Sequence, residues 1–125
     1  MKNLHRNFFA FIVLLTCFAL LAAYPATAFA NAPKEVKLSY DASSQTLQAT
    51  ITHSPISSGH YVAKVEVKKN GQPAPVEEFK GQSSETFIYS VKVPAAPGDI
   101  LEVKASCSRF GSKTERLKVE PTAAK

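Results

Sequence analysis

From residue 35 onward, apolar and polar residues alternate in short runs, broken about every dozen positions by Gly, Pro, Ser and Asn. A helix would repeat its apolar positions every three or four residues, whereas a strand repeats them every two. The alternation predicts seven strands, at 35–40, 46–53, 60–69, 76–80, 86–93, 100–108 and 113–120. Asp41-Ala42-Ser43-Ser44, Asn70-Gly71, Gly81-Gln82-Ser83-Ser84 and Pro97-Gly98-Asp99 supply turn chemistry between them. The predicted class is all-β, an antiparallel β-sandwich.

Period two also assigns faces. Leu47, Ala49 and Ile51 share a face with His53, and Leu101, Val103 and Ala105 share one with Cys107. Tyr61, Ala63, Val65 and Val67 form a third expected inward row, and Phe87, Tyr89, Val91 and Val93 a fourth. His53 and Cys107 therefore each close a core-facing row at a rim of the sandwich, where loops can open a site to solvent.

The first thirty residues have a different pattern. Lys2 and Arg6 precede a nearly unbroken apolar run over residues 8–23, and Ala28-Phe29-Ala30 has the small-x-small spacing of a signal-peptidase site. We expect residues 1–30 to be a cleaved signal peptide, with the cut after Ala30, and residues 31–125 to be one domain. The run is long enough for a permanent membrane span, but Pro25 and the cleavage pattern favour removal. Cys17 suggests a lipoprotein, yet Thr16 suits that processing poorly and the apolar run continues past the cysteine. The expected location is periplasmic or secreted, with no membrane anchor after cleavage.

Removal of the leader changes the charge and the cysteine count. Lys2 and Arg6 leave with it, so fifteen Lys and Arg fall to thirteen against ten Asp and Glu, and the net charge falls from +5 to +3. The basic residues alternate with apolar ones as on a wet sheet face, and no aromatic side chains interleave with them. Nucleic-acid binding is not expected. Cys107 is left as the single cysteine, so the domain has no internal disulfide. Such a thiol can be buried as a small apolar residue, can pair with another molecule, including a second copy of this chain, or can ligate a metal.

His53 and His60 are the only histidines after the leader, joined by a step containing Pro55 and Gly59 that can bring both imidazoles to one place. Two imidazoles and a thiolate suit Zn(II), copper or Fe(II). Each residue also has a plain structural reading: His53 bonded to backbone at the rim, His60 in an exposed loop, Cys107 as inert core. Other catalytic patterns are weak. Glu77 and Glu78 are adjacent and point apart on a strand, and there is no Gly-x-Ser-x-Gly elbow or phosphate-cradling Gly loop.

The segment His53-Ser54-Pro55-Ile56-Ser57-Ser58-Gly59-His60-Tyr61-Val62, followed by Cys107-Ser108-Arg109-Phe110-Gly111, resembles the iron-binding domain of superoxide reductases, the neelaredoxin and desulfoferrodoxin family. The resemblance extends to Asn70-Gly71 and to the Pro-Gly-Asp turn, and so covers most of residues 31–125. It implies a seven-stranded immunoglobulin-like sandwich and an oxidoreductase ancestry. In that family four imidazoles surround a ferrous ion and a cysteine thiolate binds on the axis. The resemblance places His53 and His60 at two of the imidazole positions and Cys107 at the thiolate position.

The chain also departs from the family. Phe110 stands where the family has a histidine, Ser108 where it has Asn, Ser54 is inserted before Pro55, and residues 31–40 contain no histidine. Phe110 is expected to fill and dry the pocket. The implied function is a superoxide-reductase-like domain with an incomplete His2Cys site, impaired or inactive in superoxide reduction, holding iron or, alternatively, zinc or copper, and meeting a redox or other periplasmic partner. A second resemblance, to the immunoglobulin-like carrier subunit of periplasmic sulfur-oxidation complexes, rests on the His-Pro-type loop and the Asn-Gly turn. It implies a non-catalytic interaction module with no metal.

Overall fold

The computed structural model describes residues 31–121. The expected signal peptide and its cleavage motif lie outside the described residues. Among the described residues there are seven strands and no helix, so no helix there is long and apolar enough to cross a membrane. The strands are β1 (Glu35–Asp41), β2 (Thr46–Thr52), β3 (Val62–Lys69), β4 (Gln72–Glu78), β5 (Thr86–Lys92), β6 (Ile100–Cys107) and β7 (Ser112–Lys118). They form a three-stranded sheet, β1-β2-β5, and a four-stranded sheet, β4-β3-β6-β7, with every pairing antiparallel.

The core lies between the two sheets. Leu47, Ala49 and Ile51 of β2 and Leu101, Val103 and Ala105 of β6 are all fully buried. Val36, Val65, Val67 and Tyr89 join them in one cluster, with Phe79, Phe87 and Val91 packed against its margin. Removing this apolar surface from water is what holds the sheets together.

Two expectations about the strands are corrected. β4 runs over Gln72–Glu78 rather than 76–80. Asn70 (φ 51°) and Gly71 (φ 79°) make a two-residue turn that sets Lys69 opposite Gln72, so pairing begins at once. Pro73 and Pro75 are tolerated because β4 is an edge strand with one neighbour. The inward row of β3 is also shifted: Val62, Val65 and Val67 are buried, and Tyr61 and Ala63 are not. Val62 pairs with Cys107 but Lys64 pairs with Ser106, leaving Ala63 as the extra residue of a β-bulge. The bulge reverses the phase of the strand start, putting Val62 in the core directly opposite Cys107.

The end of the sandwich away from that bulge is closed by polar side chains. Tyr40 donates its hydroxyl to the Val93 carbonyl (2.8 Å) and accepts from the Ala95 N–H (3.1 Å). Asn70 donates to the Asp99 carboxylate (2.8 Å) and accepts from the Ile100 N–H (2.9 Å). The Ala96 N–H, donated to Asp99, and the Asn70 amide hold the Asp99 carboxyl below its ordinary value.

Asp41 caps the β1–β2 turn in the same manner. It accepts from the Ser43 hydroxyl (2.6 Å), the Ser44 hydroxyl (2.8 Å) and the Ser43 N–H (2.9 Å). These donors, the Ser43 hydroxyl foremost, bring its carboxyl from 3.8 down to about 2. Because the folded value is depressed, the turn's contribution is present above pH 3.8 and is lost as pH falls through about 2. Carbon-detected NMR titration of Asp41 should give a midpoint near 2, and Ser43→Ala should move it upward; an unchanged midpoint in the variant would remove these hydrogen bonds from the account.

Candidate metal centre

At the bulged end, the two inward rows that close on polar residues meet. Continuing the row of Leu47, Ala49 and Ile51 one step beyond β2 brings in His53, whose side chain is only 1% exposed. Its backbone N–H donates to the Glu85 carbonyl (2.8 Å). Continuing the row of Leu101, Val103 and Ala105 brings in Cys107, a buried free thiol at the last position of β6. His53 belongs to one sheet and Cys107 to the other.

His60 comes from the loop that crosses between them. Its N–H donates to the Ser57 carbonyl (3.1 Å) and its carbonyl accepts from the Ser57 N–H (2.9 Å), so residues 57–60 form a tight turn. The His60 and His53 rings meet edge to face, with centroids 4.6 Å apart and planes at 67°. One ligand atom from each of His53, His60 and Cys107 lies within 4.8 Å of the other two. The three residues named from the sequence thus lie together.

The hydrogen bonding around the rings determines what they offer. His53 Nε2 lies 3.1 Å from the Asn31 carbonyl oxygen. A carbonyl oxygen can only accept, so Nε2 carries the hydrogen and, in the neutral ring, Nδ1 carries the lone pair. His53 Nδ1 and His60 Nε2 are both buried and have no hydrogen-bond partner. Leaving such an atom unsatisfied costs about 1–3 kcal/mol. Cys107 Sγ accepts the Arg109 N–H at 3.4 Å, a contact that strengthens when the sulfur carries the negative charge of a metal-bound thiolate.

The donor set fits one transition-metal ion. At bond lengths of about 2.0–2.3 Å, tetrahedral ligand atoms stand about 3.3–3.6 Å apart, so closing on an ion asks for small side-chain adjustments from a spread bounded by 4.8 Å. The donor set does not fit a His4Cys iron centre. His53 and His60 are the only histidines among the described residues, and the remaining one, His5, lies in the expected leader.

Phe110 does not fill the pocket, contrary to expectation. It is 82% exposed, at the tip of a turn in which the Cys107 N–H donates to the Gly111 carbonyl (2.9 Å). Gly111 makes the reversal at φ 108°, a conformation that suits glycine, and the phenyl ring is carried outward.

Four residues that position the site were not identified from the sequence. Ser108 ties the His60 loop to the Cys107 turn, its hydroxyl accepting the Tyr61 N–H (3.1 Å) and donating to the Gly59 carbonyl (3.2 Å). Arg109 Nε donates to the same Gly59 carbonyl (3.1 Å). Gln82 spans the sheets: its Oε1 accepts the Val62 N–H (3.0 Å), and its Nε2 reaches the carbonyls of His53 (3.3 Å) and Ser84 (2.6 Å). Asn31 acts through its backbone carbonyl. Ser108, a short hydroxyl next to the candidate thiol, was the one legible signal among these, because such a side chain is suited to bridging the backbones of two loops.

In sequence, the chain matches no protein-family model and has no significant match among curated proteins. The site therefore rests on its geometry. Ser108→Ala removes the two loop-to-turn hydrogen bonds of its hydroxyl, leaving those of the Ser108 N–H to the Tyr61 carbonyl and of Arg109 to the Gly59 carbonyl, and should destabilise the fold by about 1–3 kcal/mol in denaturant unfolding. An effect below about 0.5 kcal/mol would show that the remaining backbone and Arg109 bonds suffice to hold the His60 loop.

Proposed function

We propose that this protein is an exported, immunoglobulin-like β-sandwich that binds one transition-metal ion through His53, His60 and Cys107. In this reading it descends from the superoxide-reductase iron domain and has lost two imidazoles and, with them, rapid superoxide reduction. The observation that carries the proposal is that a ring nitrogen of His53, one of His60 and the buried Cys107 thiol lie within 4.8 Å of one another, and that each ring also has a buried nitrogen without a hydrogen-bond partner. A buried polar group is normally paired, and an ion would satisfy both nitrogens and the sulfur at once.

The donor types favour Zn(II) or copper over iron. A thiolate with two imidazoles is a borderline-soft set, and among divalent ions zinc and copper bind such sites more tightly than Fe(II). Three protein ligands leave a coordination position for water or a small ligand, as in catalytic zinc sites. When bound, the ion would supply Lewis acidity or, for copper, a one-electron couple. The chain's own residues hold the ligands in place: Gln82 and Asn31 fix His53, Ser108 fixes the His60 loop, and the Arg109 N–H supports the sulfur.

The interaction-module reading is favoured by one observation, the 82% exposure of Phe110 on the turn that carries Cys107. An exposed aromatic residue beside Arg109 is a composition found at protein contacts. Under that reading the two nitrogens would serve a buried water.

Titration of metal-free protein separates the two. The wild type should bind one equivalent of Zn(II) or Cu(I), with Cys107→Ala and His60→Ala each weaker by at least about tenfold. Equal binding by all three would eliminate the site. For iron-loaded protein mixed with superoxide in a stopped-flow instrument, we expect no rapid catalytic decay; fast turnover would mean that a partner chain completes the ligand set.

A further inference from the structure

We infer that the N-terminal strap, residues 31–34, is the positioning element of the metal site and that it commits His53 to bind through Nδ1. This rests on the metal-binding reading above and adds to it which nitrogen is used and what holds it.

The strap is tied to both sheets at the site end. Pro33 is buried, the Lys34 N–H donates to the Thr52 carbonyl (2.8 Å), and Lys113 Nζ donates to the Lys34 carbonyl (3.0 Å). These contacts set the Asn31 carbonyl 3.1 Å from His53 Nε2. With Nε2–H engaged there, the imidazole has one orientation and one tautomer, and its free lone pair sits on the buried Nδ1. A ring N–H given to a backbone carbonyl is the usual outer support of a metal-bound histidine, and its loss typically weakens metal affinity about 10–100-fold. A freed ring could turn to offer either nitrogen. The strap holds it to one.

The expected cleavage after Ala30 would make Asn31 the first residue of the exported chain. The supporting carbonyl would then sit at the N-terminus, so trimming by a single residue would remove it and leave all three ligands in place. Metal retention would be sensitive to how the N-terminus is processed.

The test uses histidine-labelled protein and Cd(II)-113 as a spin-active probe. In metal-free wild type, long-range proton–nitrogen spectra should show His53 as the Nε2–H tautomer. After Cd(II) is added, coupling to the metal should appear at His53 Nδ1 and at His60 Nε2. Pro33→Gly, which loosens the strap without touching a ligand, should weaken Cd(II) binding about tenfold. It should also expose the His53 Nε2–H to faster exchange. Tyr40→Phe, which loosens the opposite end of the sandwich, should leave Cd(II) affinity unchanged, which separates positioning from general stability. Cadmium coupled to His53 Nε2, or full affinity in Pro33→Gly, would overturn the strap's role while leaving the metal site standing. No Cd(II) uptake by wild type would overturn both.

Discussion

The structure turns on burying His53. An imidazole has two ring nitrogens that need partners, and at 1% exposure water cannot supply them freely. The strand phase that places Leu47, Ala49 and Ile51 inward also places His53 inward, so its burial follows from the same periodicity that builds the core. One nitrogen is satisfied by the Asn31 carbonyl. The other, Nδ1, is buried without a partner on a ring packed edge to face against His60.

The surrounding loops are organised to keep this arrangement rather than to relieve it. Two sheets that share only an apolar core would be free to splay at their ends, yet Gln82 bonds to the end of β2 and the start of β3 at once. Ser108 and Arg109 fasten residues 59–61 to the turn after β6. The bulge at Ala63 lets the chain leave the His60 loop and still place Val62 in the core opposite Cys107. None of these bonds touches a ring nitrogen or the thiol through its side chain. They fix the backbone from which the three side chains project.

Much of the architecture was legible in the sequence, and the misses have physical causes. The rows of β2 and β6 could be read through to His53 and Cys107 because an unbroken strand keeps its phase. The row of β3 could not, because one extra residue reverses the phase and a bulge carries no composition signal. The start of β4 was masked by Pro73 and Pro75, which an edge strand tolerates and a central strand would not. Of the site, the chemistry-bearing side chains were readable by type, whereas their supports are backbone carbonyls and short polar side chains whose partners only the fold defines. Phe110 was expected inside because the resemblance set an apolar side chain at a ligand position, but its place at a turn tip carries it outward.

The two ends of the sandwich provide an internal comparison. At one end, Tyr40, Asn70, Asp99 and Asp41 all find partners, and the two carboxylates there are held in their charged forms by those donors. At the other end, two buried nitrogens stand unpaired beside a thiol. At about 1–3 kcal/mol each, they would take up a sizeable share of the 5–15 kcal/mol typical of a whole domain. Apolar side chains of similar size at those positions would avoid that cost and enlarge the core. In the proposed reading, the contacts of Gln82, Ser108 and the strap keep this end arranged for an occupant that accepts lone pairs. A metal ion would take lone pairs from both rings and from the thiolate at once, whereas a water molecule would serve the two nitrogens and leave the thiol with the Arg109 N–H as its partner.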